Sequence, residues 1–186
     1  GVCHDRAAAM LRKFITQVST DRVLARLQQA GKLDVAEVTA IDRAADAARS
    51  AAAGTEIARE GFDSAPHSLL LSGWIAHQRI LSDGRRQITR FSLPGETFGT
   101  YKLREPAALE SLVALEPVTY CPAPEADPHS ALDRAFKSQQ IEFRARAIGN
   151  ITRLGRMNAR ERLYDLLLEL VERLQLAGFV ATRGFA

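Results

Sequence analysis

The stretch from Asp127 to Gly178 constrains the fold more than any other part of the chain. It reads DPHSALDRAFKSQQIEFRARAIGNITRLGRMNARERLYDLLLELVERLQLAG, which predicts two helices in series. Asp127 is placed to cap the first, with Pro128 at the first helical position, where a missing N–H costs nothing. That helix runs about 29 residues to Met157, roughly 43 Å at the rise of an α-helix. Asn158 then offers a second cap, and Glu161 three residues on completes a capping-box pattern. Gly178 supplies the C-cap of the second helix.

A helix this long exceeds the usual globular length. Phe136, Gln140, Phe143, Ala147, Asn150, Leu154 and Met157 follow alternating four- and three-residue steps, the spacing of a coiled-coil seam. Ile141, Ile148 and Ile151 form a second apolar flank. A helix with two apolar flanks needs two partners: its own domain on one side and a symmetry mate on the other. A homodimer is therefore expected, held by Phe136, Phe143, Ala147, Asn150, Ile151 and Leu154. Burial of the helix in a monomer core is the competing reading. Asn150 on the seam would fix register, or else face solvent.

The chain has 186 residues, enough for one domain or slightly more. No apolar run approaches the ~20 residues of a membrane span. The start, GVCHDRAAAMLRK, lacks the apolar core of a signal peptide. Cys3 and Cys121 lie too far apart to suggest a disulfide framework, and a cytoplasmic location is expected. The net charge is +3. Its distribution matters more: Arg134 to Arg162 holds eight Lys or Arg against two acids. Such clustering suits nucleic acid, with a solvated helix face as the plain alternative.

Residues 1–53 have helical texture. Ala7 to Gln17 is alanine-rich, Thr20 or Asp21 can cap a short helix ended by Gly31, and Asp34 can cap a third carrying Val35, Val38 and Ile41. Ala44 to Ala53 is ambiguous. From Gly54 short strands and turns alternate. Ile57 marks one strand and Leu69 to Leu71 begins another. GWIAHQRIL and RQITRFSL flank the SDGR hairpin, and Leu93-Pro94-Gly95-Glu96 turns again. Thr97 to Leu103 is strand-like, and Ser111–Leu115 with Val118–Cys121 form a last pair around Glu116-Pro117. Strands this short and this frequent, followed by a long helix, predict an α+β chain: N-terminal helices (1–53), an antiparallel β-roll or jelly roll (54–126), a dimerisation helix (127–157) and a further helix (158–186).

LLLSGWIAHQRILSDGRRQITRFSLPGETFG resembles the β-roll of the bacterial Crp/Fnr family of transcription regulators. That family has a strand ending in SG, a strand, a DGR hairpin, a strand, and a PGD/E-x-FG turn. ALEPV (Ala114 to Val118) is similar to its later strand, and LGRMNARERLYDLLLEL resembles the end of its dimerisation helix and the first helix of its DNA-binding domain. The resemblance implies a dimeric sensor, in which an effector in the roll shifts the long helices and so reorients winged helix-turn-helix domains on DNA. It makes Arg156, Arg160 and Arg162 candidates for DNA-phosphate contact. It also makes Gly95, Glu96, Phe98, Gly99, Thr100 and Ser111 the candidate effector cassette.

Two departures qualify what the resemblance implies. After Gly178 only FVATRGFA follows, too little for a recognition helix, so the chain is expected to carry the first helix of a truncated DNA-binding domain. In cyclic-nucleotide members a Glu follows FG and an Arg holds the phosphate. Here Thr100 takes the Glu position, Ala108 or Leu109 falls near the Arg position, and Arg104 lies a few residues early. A buried phosphate without its guanidinium is costly, so the effector is expected not to be cyclic AMP. No cofactor is expected: two cysteines cannot ligate an iron–sulfur cluster, and His4, His67, His77 and His129 do not pair at metal-ligand spacing. Cys121 reads as a buried small hydrophobe, His77 as a surface residue opposite in phase to Trp74, and Glu60 and Glu96 as solvated turn acids. No convergent catalytic set is present, so an enzyme is not expected. A similar module working through protein–protein contact without DNA is the alternative.

Overall fold

The computed structural model describes residues 20–100 and 107–176. The helix expected over Ala7–Gln17, the cap at Gly178 and Arg104 lie outside them. The chain enters as a helix, α1, described from 20 to 27, followed by a 3-10 turn at Gln28–Ala30. Thr20 already lies within α1, so it does not cap it. Gly31, at φ 146°, takes a backbone conformation that an L side chain rarely adopts, and it ends this segment. Helix α2 is Val35–Asp46, and its expected cap is present. The Asp34 side chain accepts from the Glu37 N–H, and Glu37 accepts from the Asp34 N–H, each at 2.8 Å. The other Glu37 oxygen accepts from the Leu132 N–H at 2.7 Å, so one carboxylate ties α2 to the start of the long helix.

Eight strands follow: β1 Arg49–Ala51, β2 Glu56–Ala58, β3 Ser68–Ser72, β4 Ile75–Ile80, β5 Arg86–Ser92, β6 Thr97–Phe98, β7 Ser111–Ala114 and β8 Val118–Pro122. They form two four-stranded sheets, ordered β1-β8-β3-β6 and β2-β7-β4-β5, and every strand pair is antiparallel. This is the expected roll. The ambiguous alanine-rich run resolves into the end of α2 and strand β1, so a roll strand lies upstream of residue 54. β7 and β8 do not pair with each other as expected. Glu116-Pro117 carries the chain from one sheet to the other, β7 pairing with β4 and β8 with β3.

Turn chemistry fixes the corners. In the β4–β5 hairpin Asp83 accepts from the Arg85 N–H, and Gly84 sits at φ 83°. Gly99, at φ 81°, is held more tightly: a Cβ there would lie 2.3 Å from the Pro66 carbonyl oxygen. One core gathers Leu69, Leu71 and Cys121 of the first sheet with Val23, Leu27, Ile41, Leu132 and Phe136 of the helices. A second lies between the sheets around Leu70, Ile75, Phe98, Leu112 and Val118. Cys121 is fully buried as expected, and burial pushes its thiol up to about 11.

The long helix, α3, is Ala131–Arg156. Its cap is Ser130, whose side chain accepts from the Asp133 N–H, and not Asp127. Pro128 and His129 form the preceding turn, with His129 at φ 69°. After Met157 in extended conformation, helix α4 runs Ala159–Leu176. The reciprocal box between Asn158 and Glu161 is present, at 2.8 and 3.0 Å. Among the described residues no helix is long and apolar enough to cross a membrane, and no group of His, Cys, Asp and Glu could hold a metal ion.

α4 turns back along α3. Arg153 pairs with Asp165 and, at 3.2 Å, with Glu169. Arg146 lies 3.9 Å from Glu169. At the far end Arg173, 5 % exposed, reaches the roll itself.

Candidate functional site

The β2-β7-β4-β5 sheet, α3 and α4 enclose a cavity of about 1290 Å3. Ile75, Ala76, His77 and Gln78 are all buried in succession, so alternation along β4 does not separate a solvent face and misplaces His77 at the surface. His77 is 1 % exposed. It pairs in register with Arg90 of β5 and Leu112 of β7, which puts all three on the cavity side.

A hydrogen-bonded chain runs across this face. His77 Nε2 lies 2.8 Å from Ser92 Oγ, and Nδ1 lies 3.1 Å from Glu110 Oε2. Thr89 Oγ1 donates to Glu110 Oε1 at 2.5 Å. Burial holds the His77 imidazole down at about 4, against the partial opposition of Glu110. Burial alone would raise Glu110. The hydrogen bonds from His77 and Thr89 and the charge of Arg90 outweigh it and hold the carboxyl at about 2. Near neutral pH the pair is thus imidazole and carboxylate. This fixes the tautomer: Nδ1–H donates to Glu110 and Nε2 accepts from Ser92.

The Pro94-Gly95-Glu96 corner forms a second cluster. Glu96 was expected to be solvated but is buried, because α4 lies over it. Arg173 donates to both of its oxygens, Nε at 3.1 Å and Nη2 at 2.5 Å, and Leu93 N–H donates at 3.1 Å. Nη2 also donates to the Phe91 carbonyl at 2.7 Å, and Nη1 to Glu169 at 3.2 Å. Burial would raise Glu96, but the Arg173 charge dominates and holds it below its ordinary value. α3 grips the same corner through buried Gln139. Its Oε1 accepts from the Thr97 N–H at 2.8 Å, and its Nε2 donates to the Gly95 carbonyl at 2.9 Å. One tight turn of the roll is therefore held by both helices at once.

Of the expected effector cassette, Glu96, Gly99 and Thr100 line the cavity. Thr100 spends its hydroxyl on the Ala65 carbonyl at 3.0 Å. Phe98 packs in the inter-sheet core, edge-on to Tyr120. Ser111 Oγ accepts from the Glu60 N–H at 3.1 Å. Gly95 is pressed against Arg26, where a Cβ would stand 2.7 Å from its Cβ. Near the position where a phosphate-binding Arg would stand, Ala108 is buried and Leu109 is exposed at the cavity edge.

The expected seam on α3 divides. Phe136, 1 % exposed, belongs to the chain's own core, its ring edge-on to His67. It cannot face a partner, because the start of α3 is buried against α2 and the first sheet. Phe143, Ala147 and Asn150 line the cavity, and Asn150 accepts from Arg153 Nη1 at 2.9 Å. The exposed apolar set is the isoleucine flank: Ile141, Ile148 and Ile151 are exposed, Ile151 at 72 %, and Leu154 joins it, with Ile141, Ile151 and Leu154 also bordering the cavity. Arg156, Arg160 and Arg162 are exposed, with the Arg160 guanidinium 5.5 Å from the Tyr164 ring centre. Sequence reasoning missed His77, Arg90, Glu110, Gln139 and Arg173. Polarity inside otherwise apolar helix and strand patterns was the only available signal for them.

The fold is a jelly roll with a ligand-sized cavity beside a long helix. Residues 48–134 match the family model of the cyclic nucleotide-binding domain. The chain is 36% identical over 110 residues to the transcriptional regulatory protein btr of Bordetella pertussis, covering 54% of this chain and 44% of that protein. It therefore spans less than half the length of that curated relative. Its fold is similar to FixK2 of Bradyrhizobium japonicum at TM-score 0.60 and 25% identity, covering 74% of this chain and 68% of that one. It is also similar to a CRP/FNR-family regulator of Thermus thermophilus at TM-score 0.56 and 24% identity, covering 66% and 64%. The roll is thus similar to a cyclic nucleotide-binding domain, and the fold is similar to that of Crp/Fnr-type transcription regulators.

Proposed function

We propose that the chain senses an effector in the roll–helix cavity and dimerises through α3, and that it controls DNA binding by a domain that begins at α4. The observation that carries this reading is the Pro94–Thr97 corner: it lines the cavity and is bonded to both α3 and α4. An effector displacing that corner changes how α4 is held. The effector is not cyclic AMP, because at the cassette itself Ala108 and Leu109 offer no guanidinium beside Thr100, whose hydroxyl is already engaged, so the cyclic nucleotide's usual pose has no anchor. Calorimetry should give no micromolar binding of cyclic AMP. The homodimer forms on the exposed flank of Ile141, Ile148, Ile151 and Leu154, beside the cavity mouth, since four exposed apolar residues on one helix need cover. Arg156, Arg160 and Arg162 at the α3–α4 corner are the candidate phosphate contacts. Genome-wide occupancy of the complete gene product tests the reading: two-fold symmetric DNA sites are expected, and no specific occupancy would favour a module acting through protein contacts alone.

A further inference from the structure

Among the described residues one partly buried arginine of the cavity, Arg90, makes no hydrogen bond through its guanidinium. Arg90 of β5 is 21 % exposed at its side chain. Its Nε is buried and makes no hydrogen bond. The nearest carboxylate oxygen, on Glu110, stands 3.5 Å away, an ion-pair separation without hydrogen-bond geometry. Among the described residues neither terminal nitrogen is hydrogen-bonded. The other cavity arginines buried in this region are engaged: Arg173 by Glu96, Glu169 and Phe91, and Arg153 by Asp165 and Glu169. The Arg90 guanidinium carbon lies 4.2 Å from the centre of the Phe143 ring, which fixes the plane of the group. The cavity lining holds nine Lys or Arg against four Glu. A buried guanidinium Nε–H with no hydrogen-bond acceptor is costly, the Glu110 charge beside it answers this only in part, and an oxyanion offering two oxygens is the group that matches the fork.

We infer that Arg90 is the recognition residue for an organic monoanion, whose carboxylate or phosphodiester head sits on the guanidinium edge and whose apolar body lies along Phe143, Ala147, Leu109 and Leu112. This rests on the reading of the cavity as an effector site. A single negative charge fits best. Glu110 beside Arg90 is itself ionised and committed to His77 and Thr89, so a dianion would meet like charge. Arg90 takes this role from the strand preceding the Pro94–Thr97 corner, where no cassette arginine is required.

Titration calorimetry on the whole chain at pH 7 tests it with octanoate as the carboxylate, dibutyl phosphate as the phosphodiester and octan-1-ol as the uncharged control. At least one anion should bind more tightly than octan-1-ol. That anion should weaken tenfold or more in Arg90→Gln and several-fold in Arg90→Lys, which keeps the charge and the Phe143 contact, while octan-1-ol binding stays unchanged. The anion that responds identifies the head group. Anions bound no tighter than octan-1-ol, or bound equally well by either folded variant, overturn the assignment. Such a failure leaves the regulator reading standing, because DNA occupancy is measured independently.

Discussion

Replacing Arg173 by Met removes the one side chain that donates to both oxygens of Glu96. The carboxylate keeps the Leu93 N–H at 3.1 Å and Arg146 at 4.0 Å, and remains buried. Breaking a buried pair from one side costs about 3–5 kcal/mol. The residual Arg146 charge places this case near the lower end, at about 3 kcal/mol. If α4 unfolds together with the roll, the melting temperature falls by about 6–12 °C for a chain of this size. If α4 detaches alone, the melt moves little and amide exchange in 159–176 accelerates by roughly 100-fold. Hydrogen-exchange mass spectrometry with a parallel melt separates the two cases. Removing the stranded charge as well, in Glu96→Leu with Arg173→Met, should restore most of the loss, because neither partner is then left ionised and unpaired. A single Arg173→Met variant with unchanged melt and unchanged α4 exchange would refute the docking of α4 on the roll.

Other outcomes follow from the same geometry. His77 is held at about 4 when folded against an ordinary 6.5. The folded state thus resists its protonation, and its contribution is complete above about pH 6.5 and lost as pH falls toward 4. That is a loss of about 3 kcal/mol. Glu110, held at about 2 against 4.5, adds a loss between those values. Denaturant titrations from pH 7 to 3 should show both phases, and a flat profile from 6.5 to 4.5 would contradict the buried imidazole. Gly99→Ala, with its Cβ driven against two carbonyls, should cost more than about 2 kcal/mol, whereas Gly84→Ala, at similar φ in open space, should cost about 1; equal midpoint shifts in denaturant would refute the close packing at Gly99. Ile148→Glu with Ile151→Glu should yield monomers in sedimentation velocity, and a persistent dimer would place the interface elsewhere.

The roll was legible in the sequence because its corners need particular chemistry. Asp83-Gly84 and Leu93-Pro94-Gly95-Glu96 announce their turns, and Asn158 with Glu161 announces the break after α3. The polar interior was not legible. Period-two reasoning on β4 assumes one solvated face, yet Ile75 to Gln78 are all buried and His77 shares the inward face of Ile75, so it lies in rather than out. Glu96 looks like any turn acid until Arg173, 77 residues later, reaches it. The seam on α3 is regular in sequence, but nothing local shows that Phe136 enters the chain's own core, that Phe143 and Ala147 line the cavity, or that the isoleucines stay exposed. β7 and β8 read as a hairpin because they are adjacent, whereas each finds a better partner in a different sheet.

The central claim is that the Glu96 corner of the roll controls α4 and through it the DNA-binding part. The most direct test is the affinity of the complete gene product for its mapped DNA site, compared between the parent and Glu96→Gln, which frees Arg173 without touching the exposed basic residues. The account predicts a change of tenfold or more with the dimer intact. Equal affinities for a folded, dimeric Glu96→Gln variant would contradict it.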